Sequence, residues 1–149
     1  MPTSTSSTGN PTRTGAPIAT PADSTLRRLL ALDAATCAAM GVALMTAAGP
    51  VAAATALPEP LLFLAGAVLM PIAAFMALVA LREQVPAVGA LLVVAGNALW
   101  AAASLGIIVA GLVVPNALGL ALVIAQALAV TVLAGLEYRA LRLAGPAIA

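Results

Sequence analysis

Charged residues, lysine and histidine are scarce or missing in this chain. Only 7% of its 149 residues are charged and 63% are hydrophobic, whereas about 25% of the residues in a soluble domain carry a charge. So few charges cannot cover a surface for contact with water, but a lipid bilayer solvates an apolar surface. The composition therefore predicts an integral membrane protein whose main partner is the lipid bilayer.

The missing residues also exclude whole classes of site. Because the chain has no histidine, it cannot form histidine metal sites, bis-histidine haem ligation or histidine proton shuttles. Its one cysteine, Cys37, cannot form an intramolecular disulfide, and its apolar surroundings favour a small buried hydrophobic residue. Lysine is absent and the net charge is only +1, so nothing indicates a nucleic-acid surface. We predict no metal, no cofactor and no nucleic-acid partner.

The longest uncharged stretch predicts a transmembrane hairpin. No charged residue occurs between Glu83 and Glu137, and this length accommodates two crossings of about 20 residues each. The turn is expected at Val114-Pro115-Asn116, because proline cannot continue a helix and asparagine can cap the next one.

Two further spans precede this hairpin. In the first, Arg27 and Arg28 precede an apolar run that ends at Gly49-Pro50. This run is longer than the apolar core of a signal peptide, which has about 7 to 15 residues. The second follows Pro58-Glu59-Pro60 and contains Pro71, which should bend it. The predicted spans are residues 26–48, 61–81, 87–114 and 117–143.

These spans predict an all-α fold, an integral membrane four-helix bundle made of two antiparallel transmembrane hairpins. Residues 25–144 form the transmembrane domain, in which residues 51–57 are expected to lie at the membrane interface. Residues 1–24 are rich in Ser, Thr, Pro and Gly. They cannot bury enough surface to offset their ordering entropy, so we predict a disordered cytoplasmic tail. Residues 145–149 form a C-terminal tail.

The basic residues predict the orientation of the bundle. With four spans, all of them fall on one side of the membrane, whereas three or five spans would scatter them. Because positive charge concentrates on the cytoplasmic side, we expect both termini in the cytoplasm and the protein in the cell inner (plasma) membrane. These residues are Arg13, Arg27, Arg28, Arg82, Arg139 and Arg142.

Two acidic residues lie at membrane depth. Asp33 and Glu137 are each five residues from an arginine near a helix end, and a charged Asp at the centre of a span costs about 2.5 to 3.5 kcal/mol. We expect both to face the bundle interior and favour ion pairs with arginines. The alternative is that the two carboxylates share a proton and bind a cation. The expected pairs are Arg139 or Arg142 with Asp33, and Arg82 or Arg28 with Glu137.

Uncharged polar residues lie deeper in the hairpin. Asn97, Trp100 and Ser104 share one helix face. Ser104 and Gln126 are level when counted from the turn, which predicts a hydrogen bond between them, and the Trp100 indole should donate to Asn97 or Gln126. The candidate intramembrane polar or ligand site is therefore Asp33, Asn97, Trp100, Ser104, Gln126 and Glu137.

Small residues recur at regular spacing and predict close helix contacts. They also suit a homo-oligomer or a membrane-protein partner. The repeats are Ala35, Ala39, Ala43 and Ala47 in the first span, and Gly89, Gly96 and Ala103 in the third.

Several short motifs resemble those of small, uncharacterised four-helix bacterial inner-membrane proteins, over residues 26–143. The resemblance implies the four-helix fold and a bacterial inner membrane, but no activity. The motifs are Asn97-Ala98-Leu99-Trp100 with Ala103-Ser104, Leu32-Asp33-Ala34, Ala48-Gly49-Pro50 and Leu69-Met70-Pro71.

Three functional classes follow from these features. A non-catalytic scaffold or accessory protein needs only helix packing and polar contacts, and is favoured. A small oligomeric transporter or channel would use Asp33, Glu137 or both for proton or cation coupling. A membrane enzyme is disfavoured, because no serine has a basic partner at membrane depth and no metal-ligand cluster or phosphate-binding glycine loop occurs.

Overall fold

A computed structural model describes residues 21–145, which form five α-helices and no strand. Four of these helices are long and apolar enough to cross a membrane, which confirms the predicted all-α bundle of four spans. The predicted disordered tail lies, over residues 1–20, outside the described residues, as do residues 146–149. The helices are α1 (Pro21–Thr46), α2 (Ala48–Thr55), α3 (Glu59–Ala80), α4 (Ala87–Val109) and α5 (Ala117–Ala144).

The first span differs from its prediction at both ends. Residues 21–24, assigned to the tail, form the first turn of α1. Pro21 is well suited there, because the first N–H group of a helix has no acceptor within the helix and proline lacks this group. The Ser24 hydroxyl donates to the Pro21 carbonyl at 2.8 Å. At the other end, α1 stops at Thr46, and Gly49-Pro50 lies in the first turn of α2 rather than ending α1.

The third span is shorter than predicted. Helix α4 ends at Val109 rather than at residue 114. The chain turns at Gly111, whose φ of +69° favours glycine. The residues up to Asn116 then form the connection to α5, and the side chain of Asn116 caps α5 as predicted, accepting from the Gly119 amide at 2.9 Å.

Helix α2 covers the end of the bundle at this connection. The Asn116 amide donates to the Thr55 carbonyl at 3.0 Å, and its side chain donates to the Ala54 carbonyl at 2.8 Å. A side chain at Gly119 would collide with the Thr55 carbonyl, so glycine lets α5 approach α2 here. A small apolar cluster seals this end and includes Ala48, Leu57, Leu62, Leu44, Val113 and Val123.

The long helices form a ring in which neighbours pack unequally. Helix α1 lies against α3 and α5, and α4 lies against α5. Among these long helices, the backbones of α1 and α3 approach closely, because a Cβ at Gly66 would lie 2.7 Å from the Gly41 carbonyl oxygen. Helices α3 and α4 pack least, and Val79 meets Gly89 next to the loop that joins them.

The predicted small-residue contacts are mostly wrong. Ala35, Ala39 and Ala43 are exposed, and Gly96 has no neighbour within 4 Å of an added Cβ. Only Gly89 makes a close contact, with Val79. The self-association that these repeats suit stays a prediction.

The arginines gather at one end of the bundle, called here the arginine end. Helices α1 and α4 begin there, and α3 and α5 end there. Arg27 donates to the Glu83 carbonyl at 2.6 Å, which ties α1 to the loop between α3 and α4. The described arginines at this end are Arg27, Arg28, Arg82, Arg139 and Arg142.

Candidate ligand site within the membrane bundle

A cavity of about 490 Å³ lies between the two ends of the bundle. All four long helices line it, and most of the lining is apolar. Its size falls within the range of small-molecule sites, about 300 to 1,000 Å³. At the arginine end an apolar cluster closes it, with Leu30, Met76 and Val93 among its members. The cavity therefore sits where the surroundings of the protein are hydrocarbon.

The cleft between α3 and α4 connects the cavity to the lipid-facing surface. Phe75 on α3 and Leu92 on α4 both line the cavity, and they are 41% and 57% exposed. Gly96 lines the same edge and leaves open space. Exposed side chains of both helices therefore border the cavity along this cleft.

Asp33 and Asn97 form a hydrogen bond across the bundle. The Asn97 Nδ2 donates to Asp33 Oδ2 at 2.6 Å, and the two residues are 5% and 1% exposed, respectively. The Cys37 thiol donates to the other carboxyl oxygen, at 3.7 Å. Asp33, Cys37 and Asn97 all line the cavity. Among the described residues, only these two groups donate to the Asp33 carboxyl, so its oxygens can also accept a hydrogen bond from a ligand in the cavity.

Glu137 on α5 is the second buried acid. It is 0% exposed, as the prediction of an inward-facing side chain requires, but both carboxyl oxygens lack a hydrogen-bond partner among the described residues. It lies close enough to Asp33 for two negative charges to repel. Leaving one buried carboxylate unpaired costs several kcal/mol. Among the described residues, no side chain forms a hydrogen bond or ion pair with this buried acid.

The predicted arginine pairs do not form. Asp33 is held by Asn97 and Cys37, and Glu137 has no partner in the described part of the chain. The four arginines named for these pairs, Arg28, Arg82, Arg139 and Arg142, are all exposed, so their side chains lie on the outside of the bundle while both acids are buried. Arg142 lies 6.0 Å from the centre of the Tyr138 ring. Asp33 and Glu137 therefore lie buried in the bundle without a described arginine as partner.

The Trp100 indole forms a hydrogen bond with Gln126, one of the two partners predicted for it. Its Nε1 donates to Gln126 Oε1 at 3.1 Å, joining α4 to α5. The Ser104 hydroxyl instead donates to the Trp100 carbonyl at 2.8 Å, since a serine in a helix can bond one turn back. The predicted Ser104 to Gln126 bond is therefore wrong.

The six predicted site residues divide into three groups. Asp33, Asn97, Trp100 and Gln126 line one cavity. Glu137 lies near Asp33 but not in the lining, and Ser104 is not part of the lining.

The sequence reading missed Cys37 as a site residue, and the apolar walls with it. Cys37 follows Asp33 by one helical turn, a spacing that places both on one face and that could have found it. No such signal marks Phe75 or Leu92, because their role depends on how far α3 and α4 diverge. Within residues 21–145, no group of three or more acidic or cysteine ligands could hold a metal ion.

No protein-family model, curated protein or solved structure matches this chain. The resemblance to small bacterial inner-membrane proteins therefore stays a prediction. The four long apolar helices themselves indicate a multi-pass membrane protein in contact with lipid.

Proposed function

We propose that this protein binds a small amphipathic cation in its membrane cavity, as a transporter does, and carries out no covalent chemistry. The observation that carries the proposal is Asp33, a buried acid that lines a largely apolar cavity in the middle of a membrane bundle. Intramembrane acids are costly, and they commonly mark ligand and ion pathways.

The chemistry of the cavity favours a positive charge on the ligand. The charged groups nearest to it are acids, because the arginines lie at the end of the bundle. Trp100 offers an aromatic surface, and a cation over such a ring is stabilised by about 0.5 to 2 kcal/mol. Gln126 holds the indole through its hydrogen bond. The apolar walls favour a ligand with hydrocarbon or aromatic substituents.

A pure scaffold, the role that the sequence favoured, explains less of this arrangement. Close helix contacts such as Gly41 against Gly66 hold a bundle together without any polar cavity. Burying the polar groups of Asp33 and Asn97 beside a largely apolar cavity opposes stability, which a bundle held together only by helix packing would not require. The cavity therefore supports a binding role over a purely structural one.

The proposed orientation follows the arginines. We place the arginine end in the cytoplasm of a bacterial cell, with the protein in the inner membrane and both termini inside, because positive charge concentrates on the cytoplasmic side. The α2 end then faces outward.

Tryptophan fluorescence tests the proposed binding directly. Trp100 is the only tryptophan in the chain and lines the cavity, so its emission reports occupancy. The full chain, reconstituted in lipid nanodiscs, is titrated with tetraphenylphosphonium and, separately, with tetraphenylborate, an anion of similar size and shape. We expect a saturable change with the cation and none with the anion.

An equal response to both ions would contradict a cation site and indicate apolar partitioning instead. No saturable response to the cation would reject the binding role and favour the scaffold.

A further inference from the structure

We propose that Asp33, Asn97 and Glu137 form a proton-binding site in which Glu137 holds the proton and Asp33 the negative charge, and that ligand binding at Asp33 is coupled to loss of this proton. The coupling rests on the proposed function, whereas the location of the proton does not. Such coupling would let the protein exchange a bound cation for a proton.

The hydrogen bonds assign different roles to the two acids. Burial opposes a charge on Asp33 as it does on Glu137, but Asp33 accepts from Asn97 at 2.6 Å and from Cys37 at 3.7 Å, and these donors favour its charged form. Glu137 is fully buried with both oxygens unpartnered. A carboxyl with no donor and no access to water is stable in its neutral form. The proton therefore belongs on Glu137.

Within residues 21–145, no cationic side chain lies against Glu137 to replace the proton. From α1, Asp33 and Cys37 face it, and both would repel a negative charge on Glu137 if they were ionised. From α4 the Asn97 amide lies near both acids, but its hydrogen bond goes to Asp33 and neither Glu137 oxygen is within hydrogen-bonding geometry of it. The side chains of α3 in this layer are the apolar Met76, Val79 and Ala80. On α5 itself, Arg139 and Arg142 are exposed.

Coupling follows from the position of the two acids. A cation that neutralises Asp33 removes the repulsion between Asp33 and an ionised Glu137, and adds attraction. Cation binding and proton loss from Glu137 therefore favour each other, and by linkage the cation binds more tightly when the proton is gone. In the exchange, the Glu137 oxygen passes its H⁺ to the neighbouring Asp33 carboxylate, which lines the cavity and releases the H⁺ to water there before the cation binds, so no oxidant or further reactant is needed.

Infrared spectroscopy locates the proton without any ligand. The protein in lipid at neutral pH should show the C=O stretching band of a protonated carboxylic acid. Glu137→Gln should remove this band. Glu59→Gln, a matched control at an exposed acid near the other end of the bundle, should retain it. The proton assignment is overturned if the wild type lacks the band or if Glu137→Gln keeps it.

Tetraphenylphosphonium titrations at several pH values test the coupling. The affinity of the wild type should rise roughly tenfold as the pH increases through the range in which Glu137 loses its proton. Glu137→Gln imitates the protonated acid, so it should still bind the cation but with a constant affinity. A pH dependence that persists in Glu137→Gln would overturn the coupling. If the wild type binds no cation, the coupling fails with the proposed function, and the infrared band alone decides where the proton lies.

Discussion

Asn97 is the residue that joins the two sides of the polar site. It is 5% exposed, and its amide is the closest donor to Asp33. Without it, a buried carboxyl would keep only the weak thiol donor of Cys37. We therefore expect Asn97 to contribute to the stability of the bundle as well as to ligand binding at Asp33.

Asn97→Ala should lower the stability of the bundle. Hydrogen bonds between membrane helices contribute about 0.6 kcal/mol on average and up to about 2 kcal/mol, so a loss within this range is expected from reversible unfolding in mixed micelles. Gln84→Ala, at an exposed amide in the loop between α3 and α4, should leave stability unchanged. An Asn97→Ala protein as stable as the wild type would show that the Asp33 contact has no structural role.

At the residue scale, the sequence predicted burial better than pairing. The cost of a charge in hydrocarbon is enough to turn Asp33 and Glu137 inward, and both are buried. Their partners depend on helix rotation and on distances across the bundle, which periodicity alone does not give. The predicted arginine pairs were therefore wrong, while Trp100 found one of the two partners predicted for it, Gln126.

At the scale of helices, glycines decide where two elements meet closely. Helix α5 approaches α2 at Gly119, where an added Cβ would collide with the Thr55 carbonyl. Helix α3 approaches α1 at Gly66. The spans themselves could be read from hydropathy, but these contacts could not. Regular spacing does not tell which face of a helix is buried, and Ala35, Ala39 and Ala43 all lie on the exposed side of α1.

Gly119→Ala should destabilise the protein, because the new methyl group meets backbone that cannot rotate away. We expect a loss of about 1 to 3 kcal/mol, the usual cost of overpacking, measured as a lower thermal unfolding temperature in detergent. Gly135→Ala is the matched control on the same helix. Its added Cβ has no neighbour within 4 Å, so the better helix propensity of alanine should stabilise α5 by up to about 1 kcal/mol. Equal effects of the two changes would contradict the close contact between α2 and α5.

A second pair of glycine changes tests the cleft between α3 and α4. Gly96→Leu places a large side chain at the edge of the cavity, where no neighbour lies within 4 Å, so the bundle should fold and the cavity should fill. Saturable quenching of Trp100 by tetraphenylphosphonium should weaken strongly. Gly106→Leu adds the same side chain on α4 outside the cavity lining and should bind like the wild type. Normal binding by Gly96→Leu would place the ligand elsewhere.

At the scale of the whole molecule, the distribution of charge defines two different ends. The arginine end carries every described basic residue, while the α2 end has the acidic Glu59. A chain with so few charges gives a strong sequence signal for this arrangement, which is why the number of spans was predictable. The cavity was not, because it arises from unequal packing around the ring of helices.

Labelling of introduced cysteines checks the two ends. In a Cys37→Ala background, a membrane-impermeant maleimide added outside intact bacterial cells should label Leu112→Cys, in the connection before α5. It should label Gln84→Cys only after the cells are opened. Both positions are exposed in the structure, so access to the reagent depends on the membrane. Labelling of both positions from the same face would contradict four spans.

Equilibrium binding of radiolabelled tetraphenylphosphonium to the nanodisc-reconstituted protein, compared between the wild type and Asp33→Asn, tests the central claim most directly. Asparagine keeps the size of the side chain and a carbonyl acceptor for Asn97 but removes the charge. The account predicts saturable binding of one cation per wild-type chain and an affinity at least about tenfold lower in Asp33→Asn, which corresponds to about 1.4 kcal/mol. Equal affinities in the two proteins, or no saturable binding to the wild type, would contradict it.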